Sequence, residues 1–255
     1  MAAGVRQPGG PRVRVITWPA PLAPAANATT MDTPAGTQAQ EHDMITNRPP
    51  ARAALATALL ALATSPAFAH HAMDGETPRT FLQGLLSGIA HPVIGLDHLA
   101  FVLAAAWLVS RLAAPLRVGL AAAFVAGSLA GTVLHLASVD VPVSELLVAL
   151  TVVAAGLAVA WHRLAPTTLL WLALPVAGVL HGYAYGESIV GAERMPLGAY
   201  LLGFALIQSA VMLGVAALLS RRPLPQLQRA AVPVGAVVGL VGAYFAFVQL
   251  NALAA

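Results

Sequence analysis

The chain has 255 residues, 58% of them hydrophobic and only 9% charged, with a formal net charge of +3. A soluble domain carries about 25% charged residues, so this balance excludes that class and indicates a polytopic membrane protein. The absence of cysteine excludes disulfides, thiolate metal sites and iron–sulfur clusters, and the scattered arginines form no aromatic-interleaved basic patch of the kind that binds nucleic acid.

Residues 1–43 are rich in Pro, Gly, Ala and Thr without apolar periodicity. They read as disordered, or as an upstream stretch from a misplaced start codon. A bacterial export signal begins at Met44: Arg48 and Arg52 form its positive end, Ala53–Thr64 its short apolar core, and Ala67 and Ala69 the small residues a signal peptidase reads. Cleavage after Ala69 gives a mature chain starting at His70-His71, a weak metal-binding signal, with residues 70–80 as a short periplasmic segment. Residues 81–255 then form an all-α, six-helix transmembrane domain.

The six apolar runs are Phe81–Val109, Leu116–Ala137, Glu145–Trp161, Thr168–Tyr185, Leu197–Leu219 and Ala231–Leu253. Each is near the roughly 20 residues that cross the hydrocarbon as a helix. The first is longer, and the expectation is that it tilts or breaks near His91-Pro92. Arg111, Arg117, Arg163, Arg221, Arg222 and Arg229 follow the odd-numbered runs, against Arg79 and Arg194 on the other side. The positive-inside rule puts the former loops in the cytoplasm and both mature termini in the periplasm, so the chain is a multi-pass protein of the inner membrane. Three spans per half give the halves opposite orientation. Runs one and four each hold a histidine beside glycine, which is compatible with a 3+3 inverted repeat.

The chemistry lies in polar residues inside these runs. Ile89–Leu103 places His91, Asp97 and His98 in an otherwise apolar stretch, where a charge costs roughly 2.5–3.5 kcal/mol on insertion scales. Pro92 and Gly95 in the same stretch allow a break. On an unbroken helix the Cα atoms of His91 and His98 would stand about 10 Å apart, too far for a simple chelate. The topology puts His91, His135, His181 and Glu187 in the outer half of the membrane and Asp97 and His98 deeper. Imidazole and carboxylate without thiolate suit a divalent first-row ion, whereas magnesium and calcium prefer all-oxygen shells. Asp97 serves either as a ligand or as a partner fixing a histidine tautomer. Glu145 is equally explained by the helix dipole at a helix start, and Tyr183 and Tyr185 by the interfacial preference of tyrosine.

At these residues the sequence resembles the HupE/UreJ family, membrane proteins associated with hydrogenase and urease gene clusters and regarded as nickel or cobalt permeases. The pattern H-P-x-x-G-x-D-H is met by His91, Pro92, Gly95, Asp97 and His98. A second pattern resembles His181–Glu187, with Tyr183 and Tyr185 where members often carry histidine. Ile189–Glu193 and Ala199–Phe204 fit the hydrogenase-linked branch. The resemblance implies a secondary permease for nickel first and cobalt next. The ion sheds water onto His91, His181 and Glu187 and passes inward through Asp97 and His98, with His135 in the same zone. No tightly bound cofactor and no enzymatic activity are expected. The expected partners are the divalent ion and the lipid bilayer, with a functional link to nickel-enzyme maturation and homo-oligomerisation left open. Two rivals use the same residues: a non-transporting accessory protein that hands metal to a partner, and an intramembrane metalloenzyme.

Overall fold

The computed structural model describes residues 77–161 and 166–254. The export signal, His70-His71 and His162 lie outside them. All regular elements among the described residues are helices: α1 Phe81–Ile94, α2 Leu96–Val109, α3 Ala114–Leu136, α4 Ser144–Ala160, α5 Thr167–Glu187, α6 Arg194–Ser220 and α7 Leu224–Ala254. By length and composition α3, α5, α6 and α7 can each cross a membrane, and the bent pair α1–α2 makes a fifth candidate. α4 is apolar but only 17 residues long. The chain is thus a multi-pass helical membrane protein with four to five span candidates by this measure, where the hydropathy pattern predicts six. α7 starts seven residues before the expected run, because Arg229 and Pro233 end an apolar window without ending a helix.

The first apolar run is two helices meeting at 75°. Pro92 donates no backbone hydrogen bond to the turn before it, and Gly95 leaves helical geometry at φ −67°, ψ 101°. Those dihedrals suit any residue. Glycine is needed at this break because a Cβ there would stand 2.6 Å from Cδ2 of the His98 ring. The start of α1 is fixed by a reciprocal cap: Thr80 Oγ1 accepts from the Gln83 amide (3.2 Å) while Gln83 Oε1 accepts from the Thr80 amide (3.1 Å).

Three pairings build the bundle: α3 with α5, α4 with α7, and α1 with α6. Small residues set them. A methyl group on Gly182 or Gly178 of α5 would overlap the carbonyl of Ser128 or Phe124 on α3, and one on Gly88 would overlap the Tyr200 carbonyl on α6. The Thr132 hydroxyl adds a 2.8 Å bond to the Gly182 carbonyl across the α3–α5 pair. α2 runs through the middle, touching α3, α4, α6 and α7, and more than half of its residues are buried. Large apolar side chains such as Leu157, Leu172, Leu206, Leu218 and Phe247 point outward, while Asp97, His98, Ser128, Thr132, His181 and Gln208 are enclosed. Apolar outside and polar inside is the arrangement a lipid solvent favours.

The two ends differ in charge. At one, Arg111 Nη1 lies 3.2 Å from the Arg222 carbonyl just past α6 and Arg117 Nη1 lies 3.4 Å from that of Ala216 near its C-terminal end. At the other lie Asp140, Glu145, Glu187 and Glu193, at the ends or beginnings of α3 to α6.

Candidate functional site

The bend between α1 and α2 folds His98 back toward His91, and their ring centres stand 5.8 Å apart. Two imidazoles sharing one ion at a metal–nitrogen distance of about 2.1 Å hold their ring centres roughly 5–6.5 Å apart. The separation that a straight helix would forbid is thus reached through the break at Gly95. His181 joins from α5, its Nδ1 2.8 Å from Nδ1 of His98. All three histidines are buried, His181 completely.

Hydrogen-bond bookkeeping assigns the protons of this pair. The Thr151 hydroxyl lies 2.6 Å from the Val148 carbonyl, which can only accept, so its one proton goes there. Toward His181 Nε2, at 2.9 Å, the same hydroxyl must then accept. His181 is therefore protonated on Nε2 and offers its Nδ1 lone pair to His98. A neutral His98 donates from Nδ1 and carries its own lone pair on Nε2, the form that ligates a cation. Phe101 and Phe124 close the far side of His181, with ring centres at 4.5 and 6.2 Å. Close packing of α3 on α5 holds this wall in place.

His91 is anchored separately. Its Nδ1 lies 3.1 Å from Ser188 Oγ and 3.4 Å from the Tyr200 hydroxyl. Tyr200 in turn donates to the Tyr185 carbonyl at 2.8 Å. The Tyr185 ring packs against both first-motif histidines, its centre 4.9 Å from that of His91 and 4.6 Å from that of His98. Asp97 is buried beside them in the first turn of α2. Its Oδ1 accepts from the His98 amide at 2.8 Å, and the helix N-terminus favours its charge.

Not every expected residue joins. Glu187 ends α5 and is exposed, whereas the three rings are buried. Glu145 lies in the first turn of α4, within electrostatic range of Asp97 and Glu187. His135 stands apart in a cavity of about 380 Å³ with Ser138, Asp140 and Tyr183. Its ring packs on Tyr183 at 4.7 Å, and its Nδ1 is enclosed without a hydrogen-bond partner. Tyr183 braces the turn between α3 and α4: its hydroxyl donates to the Val139 carbonyl (2.8 Å) and accepts from the Val141 amide (3.2 Å). Among the described residues no three His, Asp or Glu side chains converge into a complete metal-ligand set. What converges is a set of imidazoles braced by hydroxyls. Thr151, Ser188, Tyr200 and Gln208 escaped the sequence reading. Their one signal was a polar residue within or beside an apolar run.

The family model described as HupE / UreJ protein matches residues 57–245. A curated relative, Protein HupE of Rhizobium leguminosarum bv. viciae, is 29% identical over 193 residues, covering 74% of this chain and 95% of the relative. No solved structure matches. The chain belongs to the HupE/UreJ family.

Proposed function

We propose that this member of the HupE/UreJ family is a secondary permease that carries a divalent transition-metal ion, nickel first and cobalt next, across the bacterial inner membrane. The observation that carries the reading is the buried convergence of His91, His98 and His181, with two rings at the spacing one ion requires and a break in the helix that makes it so. Neutral imidazoles backed by hydroxyls bind a first-row ion without the anionic chelation that would trap it, and a permeation site must release what it binds. The sequence holds no G-x-x-x-x-G-K-[ST] loop, in keeping with transport not driven by ATP.

In this reading the α1–α2 pair and α3 to α7 make six spans, with α4 the shortest. The arginine-bearing end is cytoplasmic and the acidic end periplasmic, where Asp140, Glu145, Glu187 and Glu193 attract cations. Part of the helix pairing follows an inverted repeat, while the α2–α4 contact has no comparable α5–α7 counterpart. Exchanging spans one and four, two and five, and three and six turns the α3–α5 pair into the α6–α1 pair, leaves α4–α7 unchanged, and turns the smaller α4–α5 contact into α7–α2. His98 and His181 come from exchanged spans and meet at Nδ1.

The test is the initial rate of radioactive nickel uptake in cells expressing wild type, His98→Ala, Asp97→Asn or empty vector, with membrane insertion checked by immunoblot. Uptake by the wild type alone is expected. Equal uptake in all four strains would end the permease reading. Nickel binding by the purified protein without uptake would favour an accessory role in nickel-enzyme maturation.

A further inference from the structure

One face of α6 looks into the bundle. Tyr200, Phe204, Gln208, Met212 and Ala216 recur every fourth residue and all are buried. Tyr200 stands level with His91 through their shared contact with Ser188, and Phe204 packs on Tyr185 at 5.5 Å. Gln208 follows two turns beyond Tyr200, about 12 Å further toward the arginine-bearing end. It is 1% exposed, and neither of its amide atoms has a partner of hydrogen-bond geometry. The hydroxyl of Tyr185 likewise has no partner of that geometry, and the Gln208 side chain is the group that interacts with it more loosely. A leucine of similar volume would avoid the cost of enclosing these polar atoms. Native proteins rarely leave such groups unsatisfied, and those that remain call for a functional reason.

The surroundings say which way the pair faces. The Cα–Cβ bond of Tyr185 tilts toward the N-terminus of α5, which is the arginine-bearing end. Its ring touches both His91 and His98, while its hydroxyl reaches the Gln208 level. We propose that the Gln208 carbonyl oxygen and the Tyr185 hydroxyl form the step through which the cation leaves the histidines toward the cytoplasm. This rests on the permease reading above. Neutral oxygen donors hold a late first-row ion less tightly than imidazole does, so the step runs from stronger to weaker ligands. Met212, one turn further along the same face, offers a thioether next.

The experiment compares wild type, Gln208→Leu, Gln208→Asn and His98→Ala. Nickel uptake is measured in cells; nickel binding by equilibrium dialysis and thermal melting are measured on the purified proteins. Gln208→Leu is expected to bind nickel as the wild type does and to melt higher, because an unpaired amide is gone. Its uptake is expected to fall about tenfold, the scale of losing one polar contact. Gln208→Asn, which keeps an amide, restores part of that rate. Uptake by Gln208→Leu equal to wild type makes Gln208 a structural residue and overturns the proposal. Loss of nickel binding together with uptake also overturns it, since Gln208 would then belong to the histidine centre itself. If leucine fails to insert, Gln208→Met is subject to the same readings. Failure of the permease reading is seen separately, as wild-type uptake no greater than that of His98→Ala.

Discussion

His98 and His135 both sit in apolar helices, yet the protein treats them differently. At the centre, Nδ1 of His98 is tied to His181 and Nδ1 of His91 to Ser188, and Thr151 fixes the proton on His181. At the turn between α3 and α4, His135 rests on Tyr183, and no group braces its Nδ1. Ligand imidazoles in tight metal sites have their second nitrogen held, which orients the ring and raises its basicity. A histidine buried in an apolar helix is therefore not yet a site. The bracing partner, supplied by a different helix, distinguishes the centre from its surroundings.

Substituting the two histidines tests the contrast most strongly. His98→Ala should lower the initial rate of nickel uptake by about 100-fold or more, the upper range for losing a group that supports metal binding. His135→Ala should leave the maximal rate near wild type and raise only the half-saturating nickel concentration. Equal losses in the two variants would erase the distinction. Next in size is Gly182→Ala, whose methyl overlaps the Ser128 carbonyl and pushes α3 from α5 beneath His181. Overpacking of this kind costs about 1–3 kcal/mol, visible as a lower melting temperature of the purified protein.

Thr151→Val sharpens the comparison by turning a braced histidine into an unbraced one. The His181 Nε2–H loses its acceptor, and an unmet buried donor costs about 1–3 kcal/mol, or about thirtyfold in nickel affinity at the middle of that range. Calorimetric titration with nickel would read it, and unchanged affinity would show that the brace is idle. The smallest effect should come from Tyr183→Phe at the turn between α3 and α4. It removes two hydroxyl contacts to Val139 and Val141, lowers stability by about 1 kcal/mol, and leaves the maximal uptake rate alone.

The membrane class and the spans were legible because hydrocarbon thickness imposes a length on any apolar helix. The expected ends of the middle four runs fall within about three residues of α3 to α6. His91, Asp97, His98 and His181 were legible as buried polar groups for the same reason: each is costly in lipid unless enclosed. Glu187 was assigned by the same rule but is the last residue of its helix, where it stays exposed. Thr151, Ser188, Tyr200 and Gln208 were missed because small or amphipathic polar residues in a span carry little insertion cost and so little signal. Nor does a helix that is apolar all round reveal which face looks inward.

Composition and run length by themselves thus determined a helical membrane protein with acid and imidazole groups sequestered from lipid. Only the tertiary structure decided that the first run breaks at Gly95 to make room for the His98 ring, that His135 stands apart, and that His98 meets His181 through a proton whose place Thr151 sets. The physical reason is range. Insertion into lipid is judged one helix at a time, whereas a ligand set needs side chains more than 80 residues apart to meet within 3 Å, as His98 and His181 do. Only the packing of small residues between helices fixes such a distance.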